Sequence, residues 1–324
     1  PLQSPTFSRA ISAISSGRKI RSRLSSHITV SGSFPNGGAS FSLAGTGISG
    51  RLAFFAPYLI DPSNSQRMLY GTERVWLSTN GGTSFTVLSP DLTAGGSSAA
   101  IRSLAIAPSD PSFVYAATND SRILSSESGG ATFTLRLTDA LGWPRVTREL
   151  CIDPSDPRTV YLAGAAFGVP HIRRTQDAGA TWETLDGPLP DIPVNTIAVD
   201  GRRPAPVIFA GADDGLYRSV NEGRSWRRYG LGIPNSPIID ITLDPARERL
   251  VIATQGRGAW TATLQYCYAD FDDDGALTVN DFIEFLNAYA AGRAQANCDQ
   301  STVAPMLNVN DFICFLNAFN AGCP

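Results

Sequence analysis

The chain has 324 residues, with 26 basic and 29 acidic side chains and a formal net charge of −3 at pH 7. That length supports a large core plus a small second domain, and the near-neutral balance offers no footing for nucleic acid. No apolar run approaches the ~20 residues that a membrane-spanning helix needs, so no transmembrane segment is expected.

Residues 1–26 are serine-rich and basic, with Arg9, Arg18, Lys19, Arg21 and Arg23 crowded together and no Asp or Glu before Asp61. Without apolar periodicity, this stretch reads as a disordered leader. The chain opens on Pro1, so a signal peptide is expected to lie outside it.

From residue 27 to 265 a repeat dominates. Four segments share one pattern: Ser78-Thr-Asn80-Gly-Gly82-Thr-Ser-Phe85, Ser126-Glu-Ser128-Gly-Gly130-Ala-Thr-Phe133, Thr175-Gln-Asp177-Ala-Gly179-Ala-Thr-Trp182 and Ser219-Val-Asn221-Glu-Gly223-Arg-Ser-Trp226. A fainter copy, Asn36-Gly-Gly38-Ala-Ser-Phe41, precedes them. The terminal aromatics are spaced 44 to 49 residues apart, a period that signals a propeller or an array. A second marker keeps the same beat: Asp61-Pro62, Ala107-Pro108, Asp153-Pro154, Asp200-Gly201 and Asp244-Pro245 each follow an alternating apolar run and precede a β-rich one. Each repeat then supplies four short antiparallel strands, the content of one propeller blade. The expected fold is mainly β: a propeller of about five visible four-stranded blades, over residues 27–265. The fifth repeat lacks a box. Either Phe41-Ser-Leu43 supplies its fourth strand and closes a five-bladed ring, or the chain is truncated from a larger propeller.

The boxes resemble the Asp-box, Ser-x-Asp-x-Gly-x-x-Trp, of BNR-type propellers, which sialidases, sortilin-like receptors and xyloglucan-degrading glycosidases carry. The resemblance implies hairpin staples in which an acid or amide side chain bonds turn amides and Gly takes positive φ. It also implies that the boxes lie away from the ligand funnel, so no box residue is offered as a site.

The last segment, residues 266–324, is built differently. Leu277–Gly292 and Leu307–Gly322 match at twelve of sixteen positions. Asp270, Asp272 and Asp274 stand at positions 1, 3 and 5 of a twelve-residue loop, Gly275 at 6 and Asp281 at 12, with the Ala276 carbonyl at 7 and Thr278 at 9. A hard cation such as calcium takes six or more oxygens on a sharply turned loop, and this spacing provides them. A helix follows, with Phe282, Phe285, Leu286 and Tyr289 on one face, repeated by Phe312, Phe315, Leu316 and Phe319. The second loop keeps register only with three extra residues around Val303-Ala-Pro305; Asn297, Asp299 and Ser301 then take positions 1, 3 and 5 and Asp311 position 12. Thr302 replaces the glycine, so this second metal site should be weaker.

The duplicated loop–helix resembles a dockerin, a small calcium-dependent α-helical module with paired EF-hand-like loops, and its ending resembles a cysteine-bearing variant of bacterial surface proteins. Dockerins carry Asp at position 12, as Asp281 and Asp311 do. The resemblance implies calcium as cofactor and a cohesin-like protein or cell-surface scaffold as partner. It places the partner surface at loop positions 10 and 11: Val279, Asn280, Val309 and Asn310. The alternative for the two asparagines is simple helix capping.

Cys267, Cys298, Cys314 and Cys323 fall within the last 58 residues, which suggests two disulfides and an oxidising compartment. No Cys-x-x-Cys pair supports zinc. Three pairings are open; two symmetric loop–helix units with their ends together favour Cys267–Cys323, which leaves Cys298–Cys314. Cys151, in the apolar run Glu149-Leu-Cys-Ile, reads as a buried free thiol.

Chemistry in the propeller is harder to find. Glycosidases need two positioned carboxylates. Asp61, Asp153, Asp200 and Asp244 recur with the blade and read as turn formers. Asp213-Asp214 is an unrepeated pair at a strand end, with Glu73 and Asp120 in comparable places of other blades. These are weak catalytic candidates, and His171, after Pro170, reads as a loop residue. The expected function is a secreted or cell-surface, non-catalytic propeller that binds a ligand, polysaccharide among the candidates, and is anchored through its tail. The alternative is an extracellular glycoside hydrolase of xyloglucanase-like or sialidase-like type.

Overall fold

The structure is a computed structural model that describes residues 31–33, 42–138, 147–302 and 304–323. The expected leader and the faint box at 36–41 lie outside the described residues.

The chain is a five-bladed β-propeller of antiparallel sheets, with two short helices at its C-terminal end. Blade 1 holds strands Tyr58–Asp61, Asn64–Gly71, Val75–Ser78 and Thr86–Val87; blade 2 holds Ile101–Ile106, Val114–Thr118, Arg122–Ser126 and Thr134–Thr138. Blade 3 holds Thr147–Ile152, Val160–Gly164, Ile172–Thr175 and Glu183–Thr184; blade 4 holds Val194–Asp200, Val207–Ala212, Gly215–Ser219 and Arg227–Arg228. Blade 5 has three strands, Ile238–Asp244, Arg249–Thr254 and Ala259–Thr263. Of the two alternatives for its missing strand, closure by residues 41–43 is not seen among the described residues: Ser42–Ala44 pairs with Ser31–Ser33 in a separate two-stranded sheet.

The chain divides into two compact units, residues 1–164 with 175–182, and residues 165–174 with 183–324. In the first, the opening strand of blade 2 lies against those of blades 1 and 3. The Ile101 amide donates to Thr72 O at 2.7 Å and the Leu150 amide to Ser103 Oγ at 3.1 Å. Between blades 1 and 2, Leu59, Leu69, Leu104, Val114 and Leu124 form one buried cluster. In the second unit, Val194–Asp200 lies on Ile238–Asp244, over Phe209, Leu216, Ile241, Leu250 and Ile252. Each such side chain contributes about 1.5–3 kcal/mol on burial.

A bulge recurs near the start of the opening strand in blades 2 to 5, where register shifts past Arg102, Arg148, Asn195 and Ile239. No glycine marks these positions, so the sequence pattern does not reveal them.

The box is held by one hydroxyl. Ser78, Ser126, Thr175 and Ser219 each accept the buried amide of the glycine four residues on, at 2.9, 3.0, 2.8 and 2.9 Å. The third box residue then accepts the amide of the seventh: Asn80 from Ser84 at 3.0 Å, Ser128 from Thr132 at 2.9 Å, Asp177 from Thr181 and Asn221 from Ser225, both at 2.8 Å. The hydroxyls and amides around it hold the Asp177 carboxyl down to about 2. Three of the recurring marker acids are turn formers too. The Asp244 side chain caps no amide of its turn and pairs with Arg247 and Arg249, whereas Asp61, Asp153 and Asp200 accept amides two residues on, from Ser63, Ser155 and Arg202. In blade 2 Asp110, not the Ala107 marker, does this for Ser112.

In the tail, helix α1 spans Val279–Ala290 and helix α2 Val309–Ala321. Their caps are Thr278 and Asn308, whose side chains accept the amides of Asn280 and Asn310. Phe285 and Phe315 stack at 4.2 Å between centroids, over Phe271, Ala288 and Ala296. Cys267 is bonded to Cys323 and Cys298 to Cys314. Cys151 is in no disulfide and is half-buried rather than buried.

Backbone fit gives a sharp test of the box. Gly223 and Gly256 have φ near +80°, but a Cβ on Gly223 would lie 2.2 Å from Leu185 O, whereas Gly256 has nothing within 4 Å. Both alanine variants incur the left-handed cost; Gly223→Ala should lose about 2 kcal/mol or more beyond Gly256→Ala, read by chemical denaturation. Equal losses would contradict this account of the hairpin.

Candidate functional site

The first acidic loop is assembled by its own amides. Asp270 accepts the amides of Asp274 at 2.8 Å and Gly275 at 2.9 Å, and Asp272 accepts Asp274 at 3.0 Å. Gly275 takes φ +83°. Asp281, fully buried, accepts Phe271 at 2.7 Å and Asp272 at 3.2 Å on one oxygen and Thr278 at 2.8 Å on the other. Oxygens of Asp270, Asp272 and Asp274 lie within 4.8 Å of one another. Three carboxylates so close repel. Burial pushes the Asp270 carboxyl up against the pull of its amides, with Asp273 and Asp281 pushing further; burial, then Asp281 and Asp274, does the same for Asp272. A divalent cation would relieve that repulsion, and the donor set of carboxylates, carbonyl and hydroxyl suits calcium. Thr278 is committed to capping α1, so its part at position 9 competes with the cap.

The second loop repeats the frame with weaker donors. Ser301 N donates to Asn297 Oδ1 at 3.1 Å and to Asp299 Oδ1 at 2.9 Å, and Asp311 accepts Asp299 at 3.3 Å and Asn308 at 2.8 Å. Gln300 has φ 56° at position 4, as Asp273 has φ 60° in the first loop, so the three-residue insertion falls after position 4. Asn297 turns its amide nitrogen to Ser301 O, and Ser301 Oγ donates to Met306 O.

Asn280 and Asn310 are exposed and do not cap; Thr278 and Asn308 do. The apolar face expected on the helices is narrower than the spacing implied. Phe282, Phe285 and Tyr289 turn inward, but Leu286 and Leu316 are 39% and 40% exposed. They extend a second stripe at i, i+4, i+7: Val279, Ile283, Leu286 on α1 and Val309, Ile313, Leu316 on α2. Exposures match between copies, 67% and 64% at the valines and 47% and 50% at the isoleucines. A cleft separates the α1 stripe from the blade 4 box, lined by Ile283, Glu284, Arg224 and Arg227.

The propeller acids are each engaged by other groups of the chain. Asp213 accepts Asn195 Nδ2 at 2.7 Å and Asp214 the Tyr217 hydroxyl at 2.8 Å, which burial and Asp214 push up to about 12. Glu73 accepts the Arg51 amide at 2.6 Å and Arg74 Nε at 3.1 Å; Asp120 accepts the Ala94 amide at 2.6 Å. Asp120 Oδ1 and Asp214 Oδ1 are buried without a hydrogen-bond partner among the described residues, and they belong to different units. His171 is a loop residue, as expected, just before strand Ile172–Thr175, and it is buried; its ring faces Asp191 at 3.1 Å, and Asp186 accepts its amide and that of Ile172.

The sequence reading missed the arginines. Arg174 and Arg218 stand at the same place, one residue before a box hydroxyl, and both are tied into ion pairs, Arg174 with half-buried Glu222 and Arg218 with buried Asp273. That shared position was the available signal.

The chain matches no protein-family model and no curated protein. Among solved structures it is similar to an ancestral GH74 enzyme, at TM-score 0.51 and 17% identity over 70% of this chain and 35% of that one. It is also similar to a GH74 enzyme of Niastella koreensis, at TM-score 0.48 and 17% identity over 63% and 35%, and to the GH74 xyloglucanase of Xanthomonas campestris, at 0.48 and 14% over 64% and 36%. The chain thus spans about a third of these enzymes' length. The likeness is one of propeller fold.

Raised carboxyl groups fix the sign of a pH test. Their stabilising contribution is present below the ordinary value near 3.8 and is lost as pH rises through the raised one. Asp272→Asn should therefore raise the melting temperature in EDTA at pH 7, and the gain should shrink toward pH 4. An unchanged or lower melting temperature at pH 7 would contradict the repulsion.

Proposed function

We propose that this protein is an extracellular, non-catalytic β-propeller binding protein, carried by a calcium-dependent dockerin-like tail that docks a cohesin-like module of a cell-surface scaffold. The observation that carries this reading is the matched pair of exposed stripes, Val279–Ile283–Leu286 and Val309–Ile313–Leu316. Two copies that each bury one apolar face and expose another at the same positions are suited to a partner. The acidic loops at the helix starts supply the calcium dependence, with Asp270, Asp272, Asp274, Asp281 and the Ala276 carbonyl as ligands of the first ion. Asn297, Asp299, Ser301 and Asp311 would hold a weaker second. The two disulfides support an oxidising compartment, and the box hydrogen bonds support an Asp-box relationship.

Surface plasmon resonance against a panel of bacterial cohesin modules, in calcium and in EDTA, tests the docking. Binding should require calcium and should weaken about a hundredfold or more when Asn280 and Asn310, or Val279 and Val309, are changed together to aspartate. Binding indifferent to EDTA and to both pairs would refute it.

The second reading, a glycoside hydrolase, is favoured by the propeller likeness to GH74 enzymes. Against it, Asp213 and Asp214 are tied to Asn195 and Tyr217 of their own blade. Assayed on xyloglucan, other β-glucans and sialosides, the full chain should show no turnover. Turnover that disappears in Asp213→Asn or Asp214→Asn would move the protein to the hydrolases.

A further inference from the structure

An arginine of the third strand grips the chain beyond it twice in the second unit. On blade 3, Arg174 donates from Nε to Glu183 Oε1 at 2.7 Å and from Nη1 to Glu222 Oε1, in the box of blade 4, at 2.8 Å. Arg218 holds the same place on blade 4. Among the described residues blade 5 has no box hairpin for it to reach: after Ala259–Thr263 the chain runs straight into residues 264–273. Arg218 donates instead to the tail: from Nε to Asp273 Oδ2 at 3.0 Å, from Nη2 to Asp273 Oδ1, and from Nη1 to Gln265 O at 2.9 Å. Its guanidinium carbon lies 4.4 Å from the centre of the Tyr229 ring. The two side chains are only 13% and 5% exposed. Asp273 shares the positive φ of Glu222, 60° against 58°.

The junction leaves no slack. Tyr266 donates to Asp200 at 2.6 Å, Tyr268 donates to Gln295 O at 2.6 Å, and Arg203 lies over both tyrosine rings at 5.4 and 5.2 Å. Asp273 sits between Asp272 and Asp274 with its own carboxylate turned to Arg218. Aspartate reaches the left-handed region more readily than most residues but still uncommonly, and a buried bidentate pair is a strong means of holding it there.

We propose that the first acidic loop takes the place of the box hairpin that blade 5 lacks, and that Arg218 is a positioning residue through which blade 4 sets the loop's metal-binding conformation. This rests on the calcium reading of that loop. Coupling is reciprocal: a loop held in shape by the blade binds its ion more tightly, and the bound ion steadies the blade by the same factor.

Calcium titration of the full chain by calorimetry tests this, in an Asp299→Ala background that removes the second loop. Electrostatics alone gives two variants opposite signs. Arg218→Met leaves an uncompensated carboxylate beside the ion and should tighten binding; Asp273→Asn leaves an uncompensated guanidinium and should weaken it. Positioning requires both to weaken it, about tenfold or more. Near-UV circular dichroism at the titration temperature checks that each variant is folded. If Arg218→Met does not fold, Arg218→Lys decides: it keeps the charge but not the fork, so an unchanged affinity overturns the proposal and a weaker one supports it. Tighter binding by Arg218→Met, or unchanged binding by Asp273→Asn, also overturns it. A parent chain that takes up no calcium would sink the calcium reading and this inference together. A parent that binds, loses binding in Asp272→Ala and is matched by the Arg218 variants would leave the calcium reading standing and remove this inference alone.

Discussion

Every residue of the second strand is buried in blades 2, 3 and 4, in Val114–Thr118, Val160–Gly164 and Val207–Ala212. A sheet whose middle has no wet face cannot stand alone; it must be covered on both sides. Neighbouring blades provide the cover, as Leu69 and Leu104 do for each other's sheets. Small residues in these strands, Ala116 and Ala210 among them, let the covering side chains approach. The polar groups trapped by such packing must then be satisfied within the blade, and the box hydroxyls, the marker aspartates and Thr72 are where that happens.

The same constraint explains what could be read from the sequence. Burial on both faces writes continuous apolar runs, and hairpins between them write Gly, Asn and Asp, so blade period and strand content were legible from residues such as Val160-Tyr-Leu162 and Asn80-Gly-Gly82. The two helices of the tail were legible because duplication is a local pattern. Side-chain partners across long separations were not. Nothing in the residue order joins Arg218 to Asp273, 55 positions on, or sets Asp186 beneath His171. The bulges at Arg102 and Asn195 were hidden as well, because any residue fits them. Leu286 shows the limit of periodicity: a leucine at the expected inward position lies on the edge of a narrow stripe, and two stacked phenylalanines already fill the seam.

Acidic side chains divide into two kinds here. Marker acids of the blades such as Asp61 are hydrogen-bonded by groups of their own turn, which lowers Asp61 against the upward push of burial and leaves its negative charge settled. Those of the first tail loop are crowded against one another, so their charge is unsettled, and Asp270 and Asp272 are held above the ordinary range by burial. Charge that the fold does not neutralise is the better pointer to a ligand.

The tight junction at Tyr266 and Tyr268 has a mechanical consequence. A tethered domain on a flexible linker sweeps a volume set by linker length, so it finds distant targets but dilutes itself. Blades 4 and 5 have no such tether to the helices; Arg203 lying over two tyrosine rings and a buried ion pair join them. Whatever holds the tail would therefore hold these two blades in a set direction, like a tile rather than a streamer.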